Sequence, residues 1–215
     1  MSQTKVAVGM LDATGTPGSG NFLRGDSTWN APTAGSLVFI QTQTADSAAS
    51  IDFDAQLSST YDQYFLVGTD LHLDTNGVQL WMRTDSNGGD SFDSSAGNYC
   101  WQNGGTTFAS SVATHSGADT KIIICGNNSG TAWGNESDTC GLLYMYINNP
   151  SGTTFKKNIT GIISYPDADD SSTGQHSTIQ FSGQREATAA IDSFQLLPSS
   201  GTIDGTIRLY GIADS

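Results

Sequence analysis

Apolar and polar residues alternate in short runs along most of the chain after residue 35. A period of two is typical of β-strands that bury one face, and no window keeps a helical period over three turns. The pattern predicts about ten strands, in the runs 37–40, 61–67, 71–73, 78–83, 121–125, 142–147, 159–165, 179–181, 191–196 and 206–212, with weaker strands at 98–101 and 106–112.

Polar loops join these runs, and no repeat of fixed period occurs, which argues against solenoids and propellers. We therefore expect an all-β head over residues 36–215, built as a jelly-roll-like antiparallel β-sandwich. One hairpin is also expected. The runs 71–73 and 78–83 flank the turn Asp74-Thr75-Asn76-Gly77, whose last two residues tolerate a positive φ.

Residues 1–35 differ from the head, because Gly, Pro, Thr and Ser dominate them after a short apolar run. This composition predicts an extended N-terminal arm. Within the arm, Phe22, Leu23 and Trp29 stand among turn-forming residues, and a segment this short has no core of its own. We expect these side chains to be buried against the head or against another polypeptide.

The segment 15–29 of the arm, GTPGSGNFLRGDSTW, resembles a run G-T-P-x-S/A-x-x-F-L-R-G-D-G-T-W of bacteriophage tail-fibre and related virion proteins. In those proteins the run usually precedes a β-rich terminal domain; here Ser27 replaces the usual glycine. A second, looser resemblance covers Tyr61-Asp62-x-Tyr64, residues 77–83 and the ending IDGTIRLYGI at 203–212. These match a domain of marine phage structural proteins whose final strand ends in L-Y-G-I.

The resemblance implies a fibre- or spike-type surface subunit of a phage virion that attaches to the host. Phage fibres are typically threefold, so a homotrimer is implied, bound to other virion proteins through residues 1–35. A capsid decoration or head-fibre protein without receptor binding stays open as the alternative. The implied anchor and assembly residues are Phe22, Leu23, Arg24, Gly25, Asp26 and Trp29.

The triplet Arg24-Gly25-Asp26 also matches an integrin ligand, but it lies inside the longer phage-like run. A turn explains it better. Gly25 would adopt a positive φ, and the flanking charges of Arg24 and Asp26 would hold the turn by hydrogen bonds.

The 215 residues include 8 Lys and Arg against 21 Asp and Glu, a net charge of −13. Such a surface repels phosphate backbones and anionic headgroups, so we expect neither nucleic-acid binding nor membrane insertion. No run approaches the roughly 20 apolar residues of a membrane span. The first residues, MSQTKV, lack the apolar core of a secretory signal. The expected location is the virion, after synthesis in the host cytoplasm.

Catalytic chemistry is sparse along the chain. His72, His115 and His176 lie in unrelated contexts, no G-x-S-x-G motif occurs, and no pair of acids stands out for glycoside cleavage. We therefore expect no enzymatic activity. The three cysteines Cys100, Cys125 and Cys140 form no C-x-x-C pair, so we expect buried small hydrophobic residues rather than disulfides or a zinc site.

One loop offers a candidate metal site. Asp85, Asn87, Asp90 and Asp93 surround a Gly-Gly turn, and such oxygen ligands suit a hard cation such as Ca²⁺. The loop lacks the spacing of an EF-hand, and a solvated acidic turn is the alternative. No other cofactor is expected.

Two tryptophans are candidate receptor contacts. Trp101 and Trp133 have Gly, Asn and Gln neighbours, which would raise an aromatic ring to a loop tip, where it could stack on a sugar of a host glycan or meet a host protein. In the alternative, both rings cover the core or a seam between subunits.

Overall fold

The computed structural model describes residues 14, 21–23, 27–30, 36–89, 91–106, 111–126, 132–168 and 176–213. The chain divides into two units, Met1–Gly35 and Ser36–Ser215, which are described one at a time. All regular elements in these ranges are strands. Across the same ranges, no helix has the length and apolar character that a membrane crossing requires.

In the first unit, two short strands pair antiparallel: β1 (Phe22–Leu23) and β2 (Trp29–Asn30), with Leu23 opposite Trp29. Thr14 joins them, because its carbonyl accepts the N–H of Trp29 at 2.8 Å. Ser27 has a φ of 64°, a left-handed conformation that glycine adopts without strain. This conformation explains why the similar phage segments have glycine where this chain has Ser27. Leu23 is 43% exposed.

The second unit contains twelve strands within the described residues: β3 (Leu37–Ala48), β4 (Ile51–Phe53), β5 (Gln63–Leu73), β6 (Leu80–Asp85), β7 (Tyr99–Thr106), β8 (Ser111–Asp119), β9 (Ile122–Cys125), β10 (Gly141–Asn148), β11 (Lys157–Pro166), β12 (His176–Arg185), β13 (Ser193–Pro198) and β14 (Ile203–Ile212). They form an eight-stranded sheet in the order β3-β14-β5-β10-β11-β12-β7-β8 and a four-stranded sheet in the order β4-β13-β6-β9.

The pairing is nested. The first and last strands of the head, β3 and β14, pair in the larger sheet, and β4 and β13 pair in the smaller one. Next inward, β5 and β10 continue the larger sheet, while β6 and β9 continue the smaller. This winding is that of a jelly roll. The hairpins β11–β12 and β7–β8 widen the larger sheet. The expected jelly-roll-like antiparallel sandwich is confirmed.

The core lies between the two sheets and follows the strand alternation. In β5, every second residue from Tyr64 to Gly68 is buried, and the pattern resumes at Leu71. In the smaller sheet, Phe53 stacks on Phe194 with 4.8 Å between ring centroids. Because successive side chains of a strand point to opposite faces, the same strands also present a second set of side chains outward.

The expected hairpin across residues 74–77 is wrong. Strand β5 lies between β14 and β10 in the larger sheet, whereas β6 lies between β13 and β9 in the smaller one. The turn has the expected positive φ at Gly77, 79°, but the N–H of Gly77 donates to the carbonyl of Trp133 at 2.9 Å. The turn therefore carries the chain from one sheet to the other.

Polar side chains connect the two sheets at one end. Arg185 of β12 donates to the hydroxyl of Thr84 of β6 at 3.0 Å and lies 3.3 Å from the carboxylate of Asp93. The hydroxyl of Tyr99 accepts the N–H of Thr84 at 2.9 Å. Burial alone would raise the pKa of Asp93, but hydrogen bonds from Ser95 and Asn98, together with Arg185, hold it below its usual value.

We expect the free energy of unfolding to fall as the pH drops below about 4. The pKa of Asp93 is lowered in the folded chain, and so is that of Asp119, where hydrogen bonds from Lys121 and Trp101 outweigh the effect of burial. A carboxylate with a lowered folded-state pKa contributes stability above its unfolded-state pKa and loses it as the pH falls through the folded-state value.

Urea unfolding at a series of pH values measures this dependence. The Asp93→Asn variant should be less stable at neutral pH and should lose less stability on acidification. Equal acid sensitivity of the variant and the parent chain would contradict the role assigned to Asp93.

Candidate binding surface

The outward face of the larger sheet carries long rows of side chains that are fixed by the strand register. One row runs across all eight strands through Phe39, Tyr210, Phe65, Tyr146, Thr160, Ser182, Gln102 and His115. The next row passes through Arg208, Val67, Tyr144, Ile162, Gln180, Gly104 and Ala113. The first row changes from aromatic to polar residues along its length, and the second carries its large apolar residues at Val67, Tyr144 and Ile162.

The first half of this face is an aromatic patch, formed by Phe39, Phe65, Tyr144, Tyr146, Ile162 and Tyr210. Phe65 stacks on Tyr144 and contacts Tyr146 at centroid distances of 6.2 and 4.8 Å. Phe39 meets Tyr210 edge-on at 5.9 Å. The outermost rings remain open to solvent, since Phe39 is 57% exposed and Tyr146 is 38% exposed.

The run 142–147 shows how the sequence produces this patch. Leu143, Met145 and Ile147 are buried on the inner face, while Tyr144 and Tyr146 point outward together with Leu142. An uninterrupted apolar run is typical of a strand that is covered on both faces. Among the described residues, only the inner face is covered. The outer face therefore has the composition of an interface. The sequence predicts the strand, and the apolar character of both its faces is the signal from which an interface could also have been predicted.

The second half of the face is an amide groove, defined by Gln102, His115, Gln180, Ser182 and Gln184 on β7, β8 and β12. Two adjoining depressions of about 370 and 330 Å³ share Gln102, His115 and Ser182 as lining residues. Among the described residues that line the two depressions there is no acidic residue, lysine or arginine. The groove is thus uncharged in a chain whose net charge is −13.

Cys100 lies at one end of the groove. Burial raises the pKa of its thiol, and the neighbouring Glu186 carboxylate raises it further, so Cys100 is a protonated thiol rather than a nucleophile. The expectation that the cysteines are buried is confirmed for Cys125 alone, because Cys100 is half-buried and Cys140 is exposed. Packing places no constraint on the residue type at an exposed position, so the sequence alone does not show that Cys140 is exposed.

The structure contradicts the loop-tip position expected for Trp133. Its side chain is fully buried and stacks on Tyr165 at 5.1 Å. Its backbone connects the two sheets. The N–H of Trp133 donates to the carbonyl of Val78, just before β6, at 2.9 Å, and a β-bridge joins Trp133 to Asp167, just after β11. A Cβ at Gly134 would lie 3.0 Å from the Asp167 carbonyl oxygen. That glycine therefore permits close packing and does not raise the ring outward.

The loop-tip position expected for Trp101 is also wrong. Trp101 lies within β7, is 5% exposed, and donates its indole N–H to the Asp119 carboxylate at 2.9 Å. A Cβ at Gly105 would lie only 2.0 Å from the carbonyl oxygen of Thr178 on the neighbouring strand. The nearby glycines thus serve close strand approach. Trp133 is fully enclosed, and Trp101 borders a depression of the sheet face with only 5% of its surface exposed.

The acidic loop after β6 uses its carboxylates internally. Asp85 is 3% exposed and accepts the N–H groups of Ser86, Gly89 and Ser91 at 2.7, 3.1 and 3.2 Å. Asp93 faces Arg185. These donors point at the oxygens that a cation would need.

Asn87 is exposed, Asp90 lies outside the described residues, and no group of three or more His, Cys, Asp or Glu suited to a metal occurs within them. Calcium binding stays a prediction.

The anchor residues are only partly described. Arg24, Gly25 and Asp26 lie outside the described residues, and Phe22 is described by its backbone alone. Leu23 and Trp29 form the strand pair of the arm.

Comparison of the chain with protein-family models, with curated proteins and with solved structures finds no match.

Gly141 should be essential for the packing of Trp133. A Cβ at this position would lie 2.4 Å from the far edge of the Trp133 ring, so Gly141→Ala should lower the free energy of unfolding by about 1–3 kcal/mol. Gly117→Ala is the matched control, since nothing lies within 4 Å of a Cβ built there. Urea unfolding followed by tryptophan fluorescence measures both variants. Equal stability of the two would contradict the buried position of Trp133.

Proposed function

We propose that this chain is a surface subunit of a phage virion, held in the particle by its N-terminal arm and presenting its jelly-roll head to the host. The observation that carries the proposal is the aromatic patch, an apolar sheet face that a separate head would leave in water. The resemblance of segment 15–29 to phage fibre proteins supports the same role. So does the short strand pair of the arm, in which Leu23 is 43% exposed.

The occupant that we propose for the aromatic patch is a second copy of this chain. An aromatic side chain offers about 150–250 Å², so the exposed parts of the six patch residues amount to on the order of 400 Å². A standard interface buries about 800 Å² per partner, of which rather more than half is apolar. The patch thus has the size of the apolar part of one such interface.

Charge also favours a second copy. The chain carries a net charge of −13, so two copies repel each other unless their contact surfaces are free of acids. The two cross-strand rows that carry the patch contain no Asp or Glu, and Arg208 is their one cation. Closed rotational symmetry covers such a face on every copy. Three copies that turn the patch towards a common axis give the homotrimer implied by the resemblance.

The chain in solution should have three times its 22.6 kDa mass by light scattering. The double variant Phe39→Ser/Tyr146→Ser should be monomeric, because it removes apolar area from the patch without touching the core. Phe155→Ser is the matched control: Phe155 is 73% exposed and lies between β10 and β11, outside the patch, so this variant should keep the parent mass. A monomeric parent chain at micromolar concentration would overturn the self-association proposal.

Deletion of residues 1–30 tests the anchor. The head should stay folded, with an unchanged far-ultraviolet circular dichroism signal per strand residue, because Ser36–Ser215 is a separate unit. In the phage that encodes the chain, the truncated protein should be missing from purified particles. Normal copy number of the truncated protein in virions would refute the anchor role.

Capsid decoration without receptor binding is the second candidate. The burial of Trp101 and Trp133 favours it, since the two receptor contacts expected from the sequence are not on the surface. Labelled antibody against the head would distinguish the two roles: binding at the tail supports the fibre role, and binding over the capsid supports decoration.

A further inference from the structure

We propose that the amide groove binds an uncharged saccharide. The inference deepens the proposed function, on which its role in host attachment rests. The groove lies on β7, β8 and β12, and of the two tryptophans expected as receptor contacts only Trp101 borders it, with 5% of its surface exposed. Four features of the groove support this ligand: its free hydrogen-bonding groups, its lack of charge, its floor and its position on the sheet.

The hydrogen-bonding groups suit sugar hydroxyls. Gln102, His115 and Gln180 are exposed, and Ser182 is half-buried between them. Among the described residues, the amides of Gln102, Gln180 and Gln184 have no hydrogen-bond partner. A carboxamide offers two donor hydrogens and an acceptor oxygen, and a hydroxyl of a saccharide both donates and accepts. Each amide can therefore bind two neighbouring hydroxyls of one ring.

The absence of charge selects the class of ligand. An anionic glycan would meet a chain of net charge −13 without a lysine or arginine in the groove to pair with it. A cationic ligand would find no carboxylate among the described lining residues, since Glu186 beside Cys100 is not one of them and is paired with Lys156. Desolvating an unpaired charge is costly, whereas neutral polar groups exchange hydrogen bonds with water at little net cost. The groove thus favours a neutral polar ligand over a charged one.

The floor of the groove is low and partly apolar. Gly104 and Ala113 stand opposite each other on β7 and β8, where they continue the row of Gln180 beside the row of Gln102 and His115. Gly117 lines the second depression, and nothing lies within 4 Å of a Cβ built there. A pyranose ring can therefore lie against the strands with its C–H face on Ala113 while its hydroxyls reach the amides.

The position of the groove argues against a peptide ligand. Extended peptides usually add a strand to a free sheet edge and take their affinity from main-chain hydrogen bonds. The groove lies on the face of the sheet, where β7 already pairs with β12 on one side and β8 on the other. Only side chains are available for recognition. Adjacent strands are about 4.8 Å apart, which spaces these side chains regularly along a chain of sugar rings.

Isothermal titration and saturation-transfer difference NMR with the full-length protein test the inference. The probes are tetrasaccharides of mannan, glucan and galactan, with tetragalacturonic acid as the anionic comparison. We expect at least one neutral probe to bind with a Kd of about 1 mM per site, a weak contact that several heads on one particle would strengthen through effective concentration. Tetragalacturonic acid should bind at least about tenfold more weakly.

Two variants locate the site. Gln102→Ala/Gln180→Ala should weaken binding about tenfold, as expected for the loss of two or more hydrogen bonds. Gly117→Tyr should block the groove by filling it. Gln195→Ala is the matched control, because Gln195 is a half-buried glutamine of β13 on the smaller sheet. All three variants should keep the parent melting temperature.

The inference is overturned if none of the neutral probes binds at about 10 mM, if Gln102→Ala/Gln180→Ala binds as the parent does, or if tetragalacturonic acid binds as tightly as the neutral probes. These outcomes are independent of virion assembly, since the titration uses the free protein. If the chain without residues 1–30 were found in virions at normal copy number, the anchor role would be refuted, but the proposal of a saccharide site would not be affected.

Discussion

Burial of one face of the larger sheet against the smaller sheet is the interaction on which the rest of this structure depends. A strand has only two faces, so placing Trp101 and Phe181 in the core forces Gln102 and Gln180 outward. A slip of one residue in β7 or β12 would bury the amides and expose the rings. The packing of the core thus sets the position of every side chain on the candidate surface.

The two ends of the sandwich are closed in different ways. At one end, the backbone of Trp133 bridges Val78 and Asp167, and its buried ring stacks on Tyr165 with its far edge close to Gly141. Elsewhere, Arg185 and Tyr99 bind Thr84 across the sheets. A buried guanidinium needs such partners, because an unpaired buried charge would destabilise the fold. Aromatic packing and a polar network therefore hold the sheets in one relative position, which also keeps the outward face rigid.

The outward face of the larger sheet is free of core constraints, yet its composition is not random. Its aromatic half continues across β3, β14, β5, β10 and β11, and its amide half across β12, β7 and β8. The aromatic half has the composition of a surface that is buried when subunits assemble, and the amide half has the composition of a surface that stays exposed to solvent. One sheet can serve both roles because eight strands are about twice as wide as the smaller sheet that covers them.

The alternation of apolar and polar residues was enough to predict an all-β head, strands such as 142–147 and 206–212, and a boundary near residue 35. Only the tertiary structure decided the pairing partners, since the turn at 74–77 has hairpin chemistry yet joins two sheets. Strand β8 and the second half of β3 are polar and lack a strong signal, because their neighbours rather than their own residues stabilise them. The glycines beside Trp133 are compatible both with a loop tip and with close packing, so the sequence could not decide between an exposed and a buried ring. The amide groove assembles from strands far apart in the chain, so no local pattern predicts it.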